Sequence, residues 1–184
     1  GEGQFGAGQG TEDFLCLTYG TGVGGAIVAG GKVCTGSSWS AGSFGGIVIH
    51  PEEIDPNVEF SGCYEKCASA TALVKRATAV DPQLGSGRAV FAAFDRPEVR
   101  QVVDGWIGEI VYGLITLVHI FNPSRIVLGG GVMAQPYVLE QVRERLAAGI
   151  SPGFRGVEIV TAKLGNQAGM MGAAYQAAER LKEG

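Results

Sequence analysis

Six consecutive residues have the composition of a phosphate-binding loop: Gly20-Thr21-Gly22-Val23-Gly24-Gly25, here called the phosphate loop. Glycine lacks Cβ, so the backbone can adopt positive φ and aim successive amide N–H groups at one anion. Thr21 adds a hydroxyl donor at the same place. Because glycine-rich turns without a ligand are also common, a plain β-turn stays an alternative on this stretch alone.

The same glycines fit the spacing G-x-G-x-x-G of dinucleotide-binding folds, but their context differs. In those folds the loop opens a helix, whereas here the flanking runs 15–19 and 26–29 have the composition of strands. Gly30-Gly31 and the short run 32–34 follow, which is typical of a hairpin. The sequence therefore predicts a phosphate loop that joins two antiparallel strands.

Three further glycines, Gly129-Gly130-Gly131, directly follow the apolar run 125–128. At the carboxyl end of a strand in an open α/β sheet, such a turn lets the backbone lie against a ligand without side chains in the way. Together with the phosphate loop it predicts a nucleotide cleft, in which one loop holds the phosphates and the other holds the nucleoside.

The elements that would position these loops form an antiparallel meander followed by β-α-β-α, an α/β fold with helices packed on a mixed sheet. After the first hairpin, apolar periodicity predicts strand 47–50, helices 63–79, 87–94 and 97–121, strand 125–128, helix 137–148, strand 157–160 and helix 168–182. Gly105, Gly108 and Gly113 within helix 97–121 each cost about 1 kcal/mol relative to Ala, which predicts close approach by another element.

The composition indicates one globular domain, or one lobe of a larger protein, because 46% of the 184 residues are hydrophobic and 17% are charged. The net charge of −4 and the scattered Lys and Arg argue against a nucleic-acid or anionic-membrane surface. Neither a signal peptide nor an apolar run long enough to span a bilayer is visible, so a cytoplasmic protein is expected. The glycine-rich residues 1–10 lack a cap and periodicity and are typical of an internal segment.

Three segments, 17–28, 122–132 and 164–174, resemble motifs of the ROK family of bacterial sugar kinases, repressors and open reading frames. The resemblance implies an actin-like, ribonuclease-H-like fold of two lobes, of which residues 1–184 are the C-terminal one. It places the family's Asp-x-Gly-x-Thr loop and its catalytic Asp upstream of Gly1. No catalytic residue is therefore expected in this chain, and the chain alone is expected not to phosphorylate a sugar.

The resemblance also assigns binding residues. MgATP is implied as the cofactor, held through its phosphates and adenosine by Gly20, Thr21, Gly22, Gly24, Gly25, Gly129, Gly130 and Gly131. Glu65 matches a carboxylate that accepts hydrogen bonds from sugar hydroxyls. As an alternative, Glu65 is an acid in the first turn of its helix, where the helix dipole favours negative charge.

The sugar-binding motif departs from the family's Ala-Gly-Glu-x-Gly-His, because Ser43 and Gly46 occupy the positions of its Glu and His. The same His is the first ligand of the family's structural zinc, whose Cys ligands fall at Pro56, Val58 and Cys63. One thiolate does not make a zinc site, so no metal is expected. His50 and Cys67 are nearby, but no Cys or His between them completes a set of four ligands.

Two functions stay open at this point. The first is the C-terminal lobe of an ATP-dependent hexose kinase, favoured by the intact phosphate loop. The second is a non-catalytic, sugar-sensing transcriptional regulator with a DNA-binding helix-turn-helix upstream, favoured by Ser43 and Gly46. In either case the family resemblance suggests a homodimer.

Overall fold

The computed structural model of the protein describes residues 1–183. Its strands and α-helices are α1 (Glu2–Phe5), β1 (Phe14–Tyr19), β2 (Val23–Ala29), β3 (Lys32–Cys34), α2 (Tyr64–Ala68), α3 (Ala70–Val80), α4 (Gly87–Ala92), α5 (Pro97–Phe121), β4 (Arg125–Gly129), α6 (Pro136–Gly149), β5 (Glu158–Thr161) and α7 (Ala168–Glu183). The strands form one sheet in the order β3-β2-β1-β4-β5. β1 pairs antiparallel with β2 and parallel with β4, and β4 pairs parallel with β5. The predicted mixed sheet, a meander followed by β-α-β-α, is confirmed.

The main core lies between one face of the sheet and α5. Side chains alternate along β1, so that Leu15, Leu17 and Tyr19 point to this core and Phe14 points to the opposite face. Trp106 of α5 is fully buried. Its Nε1 donates to the carbonyls of Ala68 and Ser69 at 2.9 and 3.0 Å, which ties α5 to the junction of α2 and α3.

Helix α5 has the predicted bounds. Pro97 occupies its first turn, and Asn122 ends it in a left-handed conformation, with φ of 44° and its N–H bonded to the carbonyl of Val118. By length and composition alone this helix could cross a membrane, but half of its most apolar stretch is buried inside the protein, as expected of a core helix.

Only one of the three glycines within α5 is explained by close approach of another element. A Cβ at Gly113 would overlap the ring of Tyr64, whereas one at Gly105 or Gly108 would meet nothing within 4 Å. The expectation is therefore right for Gly113 and wrong for the other two.

Two predicted elements are wrong. The predicted strand 47–50 is reduced to a single bridge, in which Val48 faces Cys63. A ladder cannot extend because the chain turns into α2 immediately after Cys63. The predicted helix 63–79 is interrupted at Ser69, whose backbone is extended, with φ of −65° and ψ of 161°. The Ser69 Oγ accepts the N–H of Ala72 at 3.2 Å and so begins α3 as an N-cap.

Candidate functional site

A cleft of about 860 Å³ opens where β1, β4 and β5 end, at the carboxyl edge of the three parallel strands. Ligands of open α/β sheets bind at this edge because the loops that follow the strands converge there. Both glycine-rich stretches contribute to the cleft. Its lining is Glu2, Cys16, Thr18, Tyr19, Gly20, Thr21, Gly22, Val23, Gly24, Glu65, Leu128, Gly129, Gly130, Gly131, Ala134, Thr161, Ala162, Gly165, Asn166 and Ala168.

The phosphate loop joins β1 to β2 as a tight turn over residues 20–22, and Gly24 and Gly25 belong to β2. The N–H of Gly20 donates to the carbonyl of Gly22 at 3.0 Å and closes the turn. Within residues 1–183, the amides of Thr21 and Gly22 donate to no protein acceptor. Two neighbouring N–H groups and the Thr21 hydroxyl are thus available to an anion, which fits a phosphate group.

Close packing explains two glycines of this loop. A Cβ at Gly22 would overlap the carboxylate of Glu65, and one at Gly25 would overlap the ring of Phe44. Gly25 therefore lies behind the cleft and supports it by packing. Gly20 has open space around its Cα, so packing does not require a glycine there.

Glu65, in the first turn of α2, directly contacts the phosphate loop. Its Oε2 accepts the N–H of Val23 at 3.1 Å, and the side chain is half-buried in the lining of the cleft. The next helix holds the loop as well, since the N–H of Ala70 donates to the carbonyl of Gly20 at 3.0 Å. This donor is available because the helix is interrupted at Ser69.

Two buried tyrosines connect β1, α2 and α5 beneath the cleft. The Tyr64 hydroxyl donates to the carbonyl of Ile110 at 2.8 Å and lies 2.7 Å from the hydroxyl of Tyr19. Burial raises the pKa of both hydroxyls far above neutral pH, so both stay protonated. Tyr19 directly precedes the phosphate loop and Tyr64 directly precedes Glu65. This chain of hydrogen bonds therefore fixes the phosphate loop relative to Glu65.

The second glycine turn lies directly against the first strand. Gly130 has φ of 111°, a conformation that side chains disfavour, and a Cβ there would overlap the carbonyl of Tyr19. Gly131 begins a 3-10 turn and has nothing within 4 Å of its Cβ position. The backbone at Gly131 therefore leaves room for a ligand next to the phosphate loop.

Ser43 and Gly46 are not among the residues that line this cleft, and both are exposed. The Ser43 Oγ donates to the carbonyl of Ser40 at 2.7 Å. The carbonyl of Gly46 accepts the thiol of Cys63 at 3.4 Å. Ser43 and Gly46 therefore form contacts around the 3-10 turn Phe44–Gly46, whose Phe44 ring packs against Gly25 of β2.

Sequence reasoning missed Glu2, a buried carboxylate in the lining of the cleft. It accepts three backbone N–H groups, from Ala7 and Leu164 at 2.7 Å and from Lys163 at 3.2 Å. No local pattern indicates this role, because its partners lie at opposite ends of the chain. Cys16 also lines the cleft, but burial raises the pKa of its thiol to about 11, which keeps it protonated at neutral pH.

The sequence matches the model of one protein family, the ROK family, over residues 1–180. Among curated relatives, a beta-glucoside kinase of Listeria innocua is 34% identical over 177 residues, which cover 92% of this chain and 58% of that protein. The chain spans 58–59% of the length of four such relatives.

Solved structures share this fold. A ROK family glucokinase from Streptomyces griseus, in complex with glucose and AMPPNP, superposes with a TM-score of 0.83 at 32% identity, over 95% of this chain and 63% of that one. A ROK family transcriptional regulator, a homologue of the E. coli MLC protein, superposes with a TM-score of 0.81 at 24% identity, over 94% of this chain and 47% of its own. The second likeness concerns the fold alone.

Proposed function

Because this chain belongs to the ROK family, we propose that it is the C-terminal lobe of an ATP-dependent sugar kinase, which transfers a phosphoryl group from MgATP to a hydroxyl of a hexose. The proposal rests on one observation, which is that both glycine-rich stretches line the same cleft. The available amides of the phosphate loop, the open turn at Gly131 and the Glu65 carboxylate all line it. The glucose and AMPPNP of the related glucokinase, and the kinase activity named for the Listeria relative, support it.

In this proposal each part of the cleft has a distinct task. The amides of Thr21 and Gly22 and the Thr21 hydroxyl bind phosphate oxygens, and residues 129–131 accommodate the nucleoside. Glu65 accepts hydrogen bonds from sugar hydroxyls with its other oxygen while Oε2 holds Val23. The base that takes the hydroxyl proton comes from a lobe upstream of Gly1, so residues 1–184 alone do not catalyse transfer.

One observation favours the regulator as a second candidate. Ser43 and Gly46 stand where the family has Glu and His. Hydrogen bonds to charged groups contribute about 1.5–3 kcal/mol each, so the loss of two weakens sugar binding by roughly 10² to 10⁴-fold unless other groups replace them. A regulator that senses sugar without turnover would use the same fold with nucleic acid as an additional partner.

The proposal also includes a cytoplasmic location, a homodimer and the absence of the family's structural zinc. Tyr112 and Ile120 leave apolar surface exposed on α5, which a second copy of the chain would cover in the homodimer. We expect the family's structural zinc to be absent from its usual positions, because Gly46, Pro56 and Val58 offer no side-chain ligand.

Sugar-dependent release of ADP tests the kinase proposal. The measurement compares residues 1–184 with the same chain extended upstream by its N-terminal lobe, each with MgATP and a panel of hexoses. We expect release only from the two-lobed protein and only with sugar. Sugar binding without ADP release in the two-lobed protein would instead support the regulator.

A further inference from the structure

Three side chains outside the cleft offer a set of metal ligands. His50 precedes a 3-10 turn, Cys67 lies on α2 and Glu109 lies on α5. One nitrogen, one sulfur and one carboxylate oxygen from these residues lie within 4.8 Å of one another. Imidazole, thiolate and carboxylate are the ligand types of zinc sites in proteins. We propose that His50, Cys67 and Glu109 bind a divalent metal ion of the zinc type.

The distances require only small movements. His50 Nε2 and Glu109 Oε2 are 2.7 Å apart, a separation at which they share a proton. Two such ligands of a tetrahedral zinc ion, with bonds of about 2.0–2.2 Å, lie roughly 3.3 Å apart, so an ion can replace the proton after a shift of roughly 0.6 Å. The Cys67 sulfur lies within 4.8 Å of the other two ligand atoms. Zinc-bound sulfur and nitrogen lie roughly 3.5 Å apart, so the sulfur has to approach by at most about 1.3 Å.

The backbone already holds His50 in place for this purpose. The amides of Ile49 and His50 both donate to the carbonyl of Gly62 at 3.0 Å. A Cβ at Gly62, where φ is 69°, would overlap the carbonyl of His50, so only glycine allows this close approach. His50 is thereby fixed beside the start of α2, and Cys67 lies about one turn further along that helix.

Outer contacts orient two of the ligands. His50 Nδ1 lies 3.0 Å from Glu52 Oε1, which keeps the proton on Nδ1 and leaves Nε2 to bind the metal. Arg76 donates to Glu109 Oε1 at 2.9 Å and so turns Oε2 towards His50. The negative charges of Glu52, Glu53 and Glu109 outnumber the positive charge of Arg76 at this cluster, so the local charge favours a cation.

The proposed site differs from the family's zinc site, whose positions are Gly46, Pro56, Val58 and Cys63. It links the loop before α2, in which residues 51–60 are all exposed, to the two helices behind it. His50 and Glu109 are each partly exposed, with 21% and 14% of their side chains accessible, so an ion can enter from solvent. Three protein ligands leave the fourth position of a tetrahedral ion to water.

Cobalt(II) provides the test, because a bound thiolate gives cobalt a near-ultraviolet charge-transfer band. The chain is stripped with EDTA, dialysed and titrated with CoCl₂ alone, and zinc is then added as a competitor. We expect one ion per chain, a thiolate band and displacement by zinc. Cys67→Ser should abolish the band, and Cys63→Ser, which removes a neighbouring buried thiol, should leave it unchanged. Glu52→Gln should weaken the affinity by about 10 to 100-fold.

The absence of a thiolate band in the wild-type chain would overturn the proposal, as would a band that persists in Cys67→Ser or disappears in Cys63→Ser. Circular dichroism of each variant before titration shows whether it is folded. If Cys67→Ser is unfolded, Glu52→Gln decides the matter, since unchanged cobalt affinity in that variant would contradict the assigned site.

Discussion

Glu65 contributes both to the phosphate loop and, in the proposed function, to sugar binding. It holds the phosphate loop through Val23 and, in the proposed function, presents its other oxygen to the sugar. Both interpretations from the sequence, a ligand contact and an acid in the first turn of a helix, are compatible with this placement. What the sequence could not indicate is the contact with Val23, because the two residues lie far apart in the chain and meet only in the folded protein.

Replacing Glu65 by Gln should separate these tasks. Gln retains an oxygen that accepts the Val23 N–H but loses the negative charge, so sugar affinity should fall by about 10 to 100-fold while nucleotide affinity changes little. Calorimetric titrations of the two-lobed protein measure both affinities. Glu59→Gln, which removes an exposed carboxylate elsewhere, is the matched control. Unchanged sugar affinity in Glu65→Gln would contradict the assignment.

His50 should make the stability of the metal-free chain depend on pH. Hydrogen bonds from its ring to Glu109 and then to Glu52 raise its pKa above the ordinary value of about 6.5. The folded chain therefore binds more protons than the unfolded chain in this range. The stabilisation is complete below about pH 6.5 and is lost as the pH rises through the folded-state pKa.

Urea denaturation at several pH values in EDTA measures this effect. The free energy of unfolding should decrease from about pH 6.5 upwards in the wild type, and the difference from His50→Asn should shrink over the same range. A difference that is independent of pH would show that the pKa of His50 is not raised by folding.

At the scale of elements, the interruption between α2 and α3 helps to position the site. It frees the Ala70 N–H for Gly20, while α2 before it holds Glu65 against the phosphate loop. Periodicity predicted one continuous helix because the apolar spacing passes through Ser69 without a break. The Ser69 side chain was the available signal, since serine favours N-caps, but it competes with a long apolar pattern.

Helix α5 offers a matched pair of substitutions. Gly113→Ala places a methyl group into the Tyr64 ring and should lower the free energy of unfolding by about 1–3 kcal/mol, despite the better helix propensity of Ala. The methyl group of Gly108→Ala meets nothing within 4 Å, so this substitution should raise the free energy of unfolding by up to about 1 kcal/mol. Urea denaturation followed by circular dichroism distinguishes them. Equal effects of the two substitutions would contradict the close packing of Tyr64 against α5.

At the scale of the whole molecule, the sequence was informative where the pattern is local. The hairpin around the phosphate loop, α5 and the glycine turn after β4 all follow from residues adjacent in the chain. The roles of Glu2 and Glu109 depend on partners that only the fold brings near. The strand expected at 47–50 is limited to one bridge because its neighbour, Cys63, is followed at once by α2.

The central claim is that the glycine turns after β1 and β4 form one nucleotide site. Titration of residues 1–184 with MgAMPPNP, followed by amide chemical shifts, tests it most directly. We expect saturable binding with a Kd of about 1 mM or tighter, and the largest shifts at residues 20–25 and 129–131. Binding with shifts confined to other parts of the chain, or no saturable shifts at either turn, would contradict the claim.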